Sequence, residues 1–145
     1  KREDLTDEMY WLSPEGIKFF RTGDMGRFDE DGFLYLLDRI KDMIISGGFN
    51  IYAADLEAVL TNHPDVADVA VIGIPSDQWG ETPLGLVVTN PGATISTEEL
   101  TKWANSKLGK AQRLSNIELR DTLPRSTIGK ILKRELREPY WAGVK

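Results

Sequence analysis

The sequence predicts an α+β fold: a small β-sheet of about three strands flanked by helices and preceded by a β-hairpin. Three observations carry this. Short β-branched and aromatic runs alternate with segments of helical period, in the order ββ, ββ, α, β, β, α, β, α. Gly and Pro punctuate the runs at turn positions. The 145 residues are about one domain's worth, and 41% of them are apolar, enough for one core.

In chain order, Met25 to Phe28 and Phe33 to Leu37 read as a hairpin about Asp29-Glu30-Asp31-Gly32, with Gly32 supplying positive φ. A second hairpin is expected at 43–52, where Met43-Ile44-Ile45 and Phe49-Asn50-Ile51 flank Ser46-Gly47-Gly48. Leu56, Val59 and Leu60 have i, i+3, i+4 spacing and predict a helix over about 53–62, which Pro64 ends. Residues 66–74 (VADVAVIGI) are β-branched and nearly continuous, the pattern of a central strand, closed by Pro75. A loop with Trp79 and Gly80 leads to a further strand at Leu84 to Thr89. Ser96-Thr97-Glu98-Glu99 is a capping box opening a helix that buries Leu100, Trp103 or Ala104, and Lys107 or Leu108. Asn116 to Arg120 reads as a short strand. The loop 123–130 then runs into a helix from about Ile131 to Arg137.

Composition excludes several functions for these residues. The net charge is −5, which argues against a generic nucleic-acid binder, since phosphate affinity needs a basic surface. There is no cysteine, so disulfides, thiolate zinc sites and cysteine nucleophiles are excluded. One histidine, His63, allows no two-histidine metal site, and no metal centre is expected. No run approaches the roughly 18 apolar residues of a membrane span, and residues 1–10 hold no apolar signal segment. A cytoplasmic location is expected. Because Lys1 is not an initiator Met, the sequence reads as a piece of something longer. Charge is also divided along the chain. Residues 42–100 contain no Lys or Arg, whereas 101–138 hold ten basic and four acidic side chains. This division suggests either a C-terminal third facing an anion or a solvated helix of mixed charge.

Three segments, FRTGD at 20–24, DRIKDMIISGG at 38–48 and LPRSTIGK at 123–130, together resemble three ordered motifs of the adenylate-forming ligases. That superfamily includes acyl-CoA synthetases, peptide-synthetase adenylation domains and beetle luciferases. The resemblance covers essentially the whole chain. It implies that residues 1–40 are the end of a large adenylate-binding domain and 41–145 a mobile C-terminal domain, with the hinge at Lys41. It also implies two steps. A carboxylate attacks the α-phosphorus of ATP, giving acyl-adenylate and pyrophosphate; the thiol of CoA then displaces AMP and leaves a thioester. ATP with Mg2+ and CoA are thereby implied, with most ATP contacts in the large domain, and a small carboxylic acid is the remaining substrate.

The same resemblance assigns residues. Lys130 is the catalytic cation that reaches the carboxylate and the α-phosphate, and its position after Gly129 is expected at a helix mouth, where N–H groups favour anions. The alternative is a surface Lys starting a basic helix with Lys133, Arg134 and Arg137. Asp24 matches the carboxylate that accepts from the ribose hydroxyls, and Arg39 an arginine near ribose and phosphates. The alternatives are a turn Asp and a surface pair with Asp38 or Asp42. Gly47 and Gly48 match the glycine pair along which pantetheine lies, close approach being open to a residue without Cβ. Trp79 and Arg113 match contacts to the CoA nucleotide, although KAQRLSN at 110–116 lacks the aromatic and Pro-Lys common there. Ser46-Gly47-Gly48 resembles acyl- or aryl-CoA ligases more than peptide-synthetase domains. The motif ending in Lys130 also resembles the family's site of reversible acylation, implying a lysine acyltransferase and deacylase as partners. Two other classes stand beside the ligase: a stand-alone CoA- or nucleotide-binding module, and a structural or dimerisation domain using strand 66–74 as its interface edge.

Overall fold

The structure is a computed structural model that describes residues 7–143. It divides into two compact units, residues 1–41 and 42–145.

The first unit consists of hairpins. Strands β1 (Tyr10–Leu12) and β2 (Lys18–Phe20) pair antiparallel. This hairpin was not expected from the sequence, its strands being only three residues each. Its turn is closed by Gly16 N–H to Ser13 C=O at 2.9 Å. Strands β3 (Asp24–Phe28) and β4 (Leu34–Arg39) form the hairpin expected at Met25 to Leu37. Asp29 Oδ1 accepts from the N–H groups of Asp31 and Phe33, and Gly32 has φ +84°. Hydrogen bonding to Phe33 is the largest cause holding the Asp29 carboxyl below its ordinary range. Many apolar side chains of this unit are exposed, Phe28, Phe33 and Leu36 among them.

The second unit holds the core. Its sheet has five strands rather than about three, in the order β6-β5-β8-β7 with β9 also on β8. The strands are β5 (Ile44–Ser46), β6 (Phe49–Ile51), β7 (Val66–Ser76), β8 (Gly80–Thr89) and β9 (Asn116–Leu119). The expected 43–52 hairpin joins the sheet through Ser46 opposite Gly80, which raises the count. Helices α1 (Ala53–Thr61) and α2 (Thr97–Asn105) contribute to one core cluster, with Leu56, Leu60, Leu100 and Ala104 meeting Val69, Val71, Val87 and Ile117. The capping box at Ser96 and Glu99 forms as predicted; the helix stops at Asn105, leaving Lys107 and Leu108 beyond it. Helix α3 (Lys133–Trp141) contributes to a second cluster, its Leu136 and Tyr140 packing against Ala70, Ile72, Leu84, Leu86 and Leu123.

Strand β7 is an edge strand, not a central one: among the described residues it pairs with β8 alone, and β8 is bordered on both sides. Its continuous apolar run has another cause. Odd residues (Val69, Val71) enter one core and even residues (Ala70, Ile72) the other, so both faces are buried. The strand also runs through Pro75 to Ser76. Val71 N–H and Gly73 C=O bond groups outside the ladder. Odd positions thus aim their backbone away from β8, and Pro75, at an odd position, removes no ladder bond.

Candidate functional site

In the first unit, β3 and β4 set Asp24 opposite Arg39. The Arg39 Nε–H donates to Asp24 Oδ1 at 2.9 Å, and Asp38 Oδ1 accepts the Arg39 backbone N–H at 2.7 Å. Gly23 (φ +77°) turns the chain into β3, and the Asp24 N–H is held by Thr22 Oγ1 at 3.1 Å. A cavity of about 460 Å3 lies here, lined by Arg21, Thr22, Gly23, Arg39 and Lys41 among others. Three cationic side chains, with the Glu8 carboxylate also in the lining, can take a polar ligand that carries negative charge. Lys41, the expected hinge, falls in a 3-10 turn, Ile40–Asp42, at the boundary between the units.

In the second unit, the β5–β6 turn puts Gly47 and Gly48 at φ +56° and +82°, the backbone a two-residue hairpin turn demands. Gly47 N–H donates to Trp79 C=O at 2.9 Å. A Cβ on Gly47 would stand 2.8 Å from Trp79 Cε3, so the indole lies directly on this glycine. Together they border a cleft of about 380 Å3 lined by Ser46, Gly47, Phe49, Trp79, Lys110 and Arg113, with Thr82 and Ala111. Gly47, Trp79 and Arg113 are thus brought together from three distant parts of the sequence; Gly48 is outside the lining. The sequence reading missed Phe49 and Lys110. Phe49 is β-strand material and gave no signal beyond its place after the glycines. Lys110 enters through a 3-10 turn, Lys110–Gln112. Two cations beside an exposed indole and a phenyl ring suit a ligand with both an apolar or aromatic part and an anionic part.

Lys130 is exposed and does not line that cleft. It is not at a helix mouth either, because α3 begins three residues later, at Lys133, and continues to Trp141. Residues 125–131 close instead into a small turn bridged by Arg125 and Ile131. Ser126 N–H donates to Lys130 C=O at 2.8 Å, and Ser126 Oγ accepts the Lys130 N–H at 3.2 Å. Gly129 (φ +81°) makes the reversal. Because its own N–H is used within the turn, Lys130 offers its side-chain ammonium, not a helix dipole. Nor does the whole basic third of the chain face outward. Lys133 pairs with Glu57 at 2.7 Å and Arg125 with Asp68 at 2.6 Å, so part of the charge division is resolved inside the fold. Among the described residues, no group of three or more His, Cys, Asp or Glu side chains could hold a metal ion. The described residues therefore do not fit an implied Mg2+ site.

A small α+β unit with a glycine-turn cleft and an exposed Lys turn, preceded by hairpins, defines an adenylate-forming enzyme's C-terminal part. The chain belongs to the AMP-binding enzyme C-terminal domain family, whose model matches residues 55–130. It is 39% identical to the long-chain-fatty-acid–CoA ligase FadD13 of Mycobacterium tuberculosis, over 99% of this chain and 29% of that protein. It is 42% identical to a 2-succinylbenzoate–CoA ligase of Geobacillus kaustophilus, over 88% and 27%. Among solved structures, ATP-bound MatB from Rhodopseudomonas palustris matches with a TM-score of 0.84 at 35% identity, over 97% of this chain and 27% of that one. The chain thus spans less than a third of the length of these relatives.

Proposed function

We propose that this chain is the C-terminal part of an AMP-forming acyl-CoA synthetase, an acid–thiol ligase. Residues 1–40 would end the adenylate-binding domain and 41–145 form the mobile domain. The observation that carries the reading is the convergence of Gly47, Trp79 and Arg113 on one cleft, together with Lys110. A pantetheine arm would pass along the Gly47 turn beside the Trp79 indole, which fills the side of Gly47 where a Cβ would stand. The Trp79 and Phe49 rings would take the base, and Lys110 and Arg113 the phosphates. The exposed apolar side chains of the hairpins support the assignment of residues 1–40 to a larger body.

In the first step, an oxygen of the acid bonds to the α-phosphorus of ATP, and the bond to the pyrophosphate oxygen breaks. Two anions meet, so a placed cation is needed rather than a strong base; this is the role of the Lys130 ammonium. Asp24 accepts from the ribose hydroxyls, with Arg39 fixing its carboxylate. In the second step the CoA sulfur bonds to the acyl carbon as AMP leaves. Rotation about Lys41 exchanges Lys130 for the Gly47 turn between steps. The acid belongs to the fatty or aromatic carboxylates on which the relatives are named, and the work is cytoplasmic. Acylation of Lys130 by an acyltransferase would delete its charge and stop the first step, reversibly if a deacylase follows. Against the dimerisation alternative, the outward Val71 N–H and Gly73 C=O of the β7 edge are bonded within the chain.

The test uses the full-length protein that carries these residues. A cation about 4 Å from a phosphate is worth about 4 kcal/mol at an effective dielectric near 20, or about three decades in rate. Lys130→Ala should therefore slow acyl-adenylate formation about 10³-fold while leaving thioester formation from supplied acyl-adenylate largely intact. Equal loss of both steps would remove Lys130 from the adenylation role.

A further inference from the structure

The acidic middle and basic end of the sequence meet around one feature, the turn that carries Lys130. Before the turn, Arg125 bonds in two directions: Nη2 to Asp68 Oδ2 and Nη1 to Gly129 C=O, both at 2.6 Å. After the turn, Lys133 Nζ stands 2.7 Å from Glu57 Oε1, and the same oxygen accepts the Val71 N–H at 2.7 Å. The two carboxylates sit beside buried core residues. Glu57 follows the fully buried Leu56 on α1, and Asp68 precedes the buried Val69 on β7. The Lys133–Glu57 pair is itself shielded, with side chains only 17% and 22% exposed.

Such pairs contribute little net stability, because desolvation offsets most of their attraction. What they fix is geometry: a charge-assisted, two-direction arginine bond and a shielded ion pair admit few arrangements. Both bracket the same exposed turn, five residues before and three after Lys130. We propose that Arg125 and Lys133, through Asp68 and Glu57, are positioning residues that hold the Lys130 turn rigid against the body of the domain. This rests on the reading of Lys130 as the adenylation lysine. The function of the bracing is to keep the Lys130 ammonium in place when the domain presents it to the α-phosphate. A displacement of about 1 Å there can cost about 10²-fold in rate.

Single-turnover kinetics of each half-reaction in the full-length protein tests this, with Arg125→Ala, Lys130→Ala and the double variant. Asp68→Asn is a fourth variant that conserves shape. Arg125→Ala should slow adenylation about 10- to 10²-fold and change thioester formation from supplied acyl-adenylate by less than about twofold. In the Lys130→Ala background, Arg125→Ala should add no further loss, because a residue acting through Lys130 has nothing left to position. Asp68→Asn should give a smaller loss confined to the same step. Three outcomes overturn the proposal: full adenylation in Arg125→Ala, equal damage to both half-reactions, or an additive loss in the double variant. Full adenylation in Lys130→Ala overturns the underlying reading instead, and the bracing role with it. Lys130→Ala crippled beside normal Arg125→Ala and Asp68→Asn overturns the bracing alone.

Discussion

Gly47 and Gly48 share one turn but are constrained differently. Both have positive φ, which a side chain resists at a cost of about 1–2 kcal/mol. At Gly48 nothing lies within 4 Å of an added Cβ, so Gly48→Ala should show that backbone cost alone in urea unfolding, with CoA use little changed. At Gly47 the added Cβ meets the Trp79 ring at 2.8 Å. Gly47→Ala should therefore displace the indole, raise the KM for CoA at least tenfold, and leave adenylation within about twofold. Initial-rate kinetics on both variants separates the two effects. Glu99 gives a pH prediction at the same scale. Its carboxylate accepts from the Ser96 N–H and hydroxyl, and these bonds hold it below the ordinary value of 4.5. A lowered folded value means that the stabilisation is complete above the unfolded value and is lost as pH falls through the folded one. The α2 N-terminus should loosen in that acid window, with Ser96 and Glu99 amides exchanging faster by NMR. Glu99→Gln should remove this dependence. The Tyr140 hydroxyl is shifted the other way: burial, then its bond to Glu118 at 2.7 Å, pushes it above its ordinary range.

At the scale of elements, two outward groups of the long apolar β7 edge are bonded within the chain. Its outward N–H at Val71 is taken by Glu57, and its outward C=O at Gly73 by the Trp141 indole at 3.0 Å. Glu57→Leu would strand the Val71 N–H and the Lys133 ammonium together. Leaving such a donor unmade costs about 1–3 kcal/mol, so the urea midpoint should fall without a change in slope. Trp141→Phe keeps the ring but loses the N–H, and a smaller fall of about 1 kcal/mol is expected. Pairing of Gly85 with α1 sets a second constraint, since a Cβ there would stand 3.1 Å from Ile117 Cγ1 and 3.4 Å from Leu60 Cδ1. The helix sits this close to β8 because no side chain intervenes. At the far side, Arg120 Nη2 donates to both Glu118 and Tyr140 at 2.7 Å, tying β9 to α3.

At the scale of the whole molecule, the core residues from Ile44 to Leu123 all belong to the second unit, whereas the hairpins of the first expose most of their aromatic rings. Residues 42–145 alone should therefore unfold cooperatively in urea with the midpoint of the 145-residue chain, and neither should release pyrophosphate with any acid. Lys41→Pro tests the junction. Proline fixes φ near −65° and removes the N–H, so the proposed rotation about Lys41 would be left with one torsion state. In the full-length protein this variant should retain adenylation and lose thioester formation, read by single-turnover kinetics of each step.

Local chemistry made much of this legible. The Gly32 and Gly47-Gly48 turns, the Ser96 capping box and the Leu56–Leu60 helix follow from residue preferences acting over a few positions, and they stand as read. What depends on neighbours distant in sequence was decided only by tertiary structure. The run 66–74 reads the same whether a strand is flanked by strands or covered by helices, and packing against α1 and α3 put it at the edge. Lys130 stands in a bridged turn rather than at a helix mouth, and the flanking Arg125 and Lys133 pair with Asp68 and Glu57, partners more than 50 residues earlier. Phe49 and Lys110 entered the cleft by the same route. Charge and hydrophobicity are written in the sequence, but which charge meets which carboxylate is a property of the folded chain.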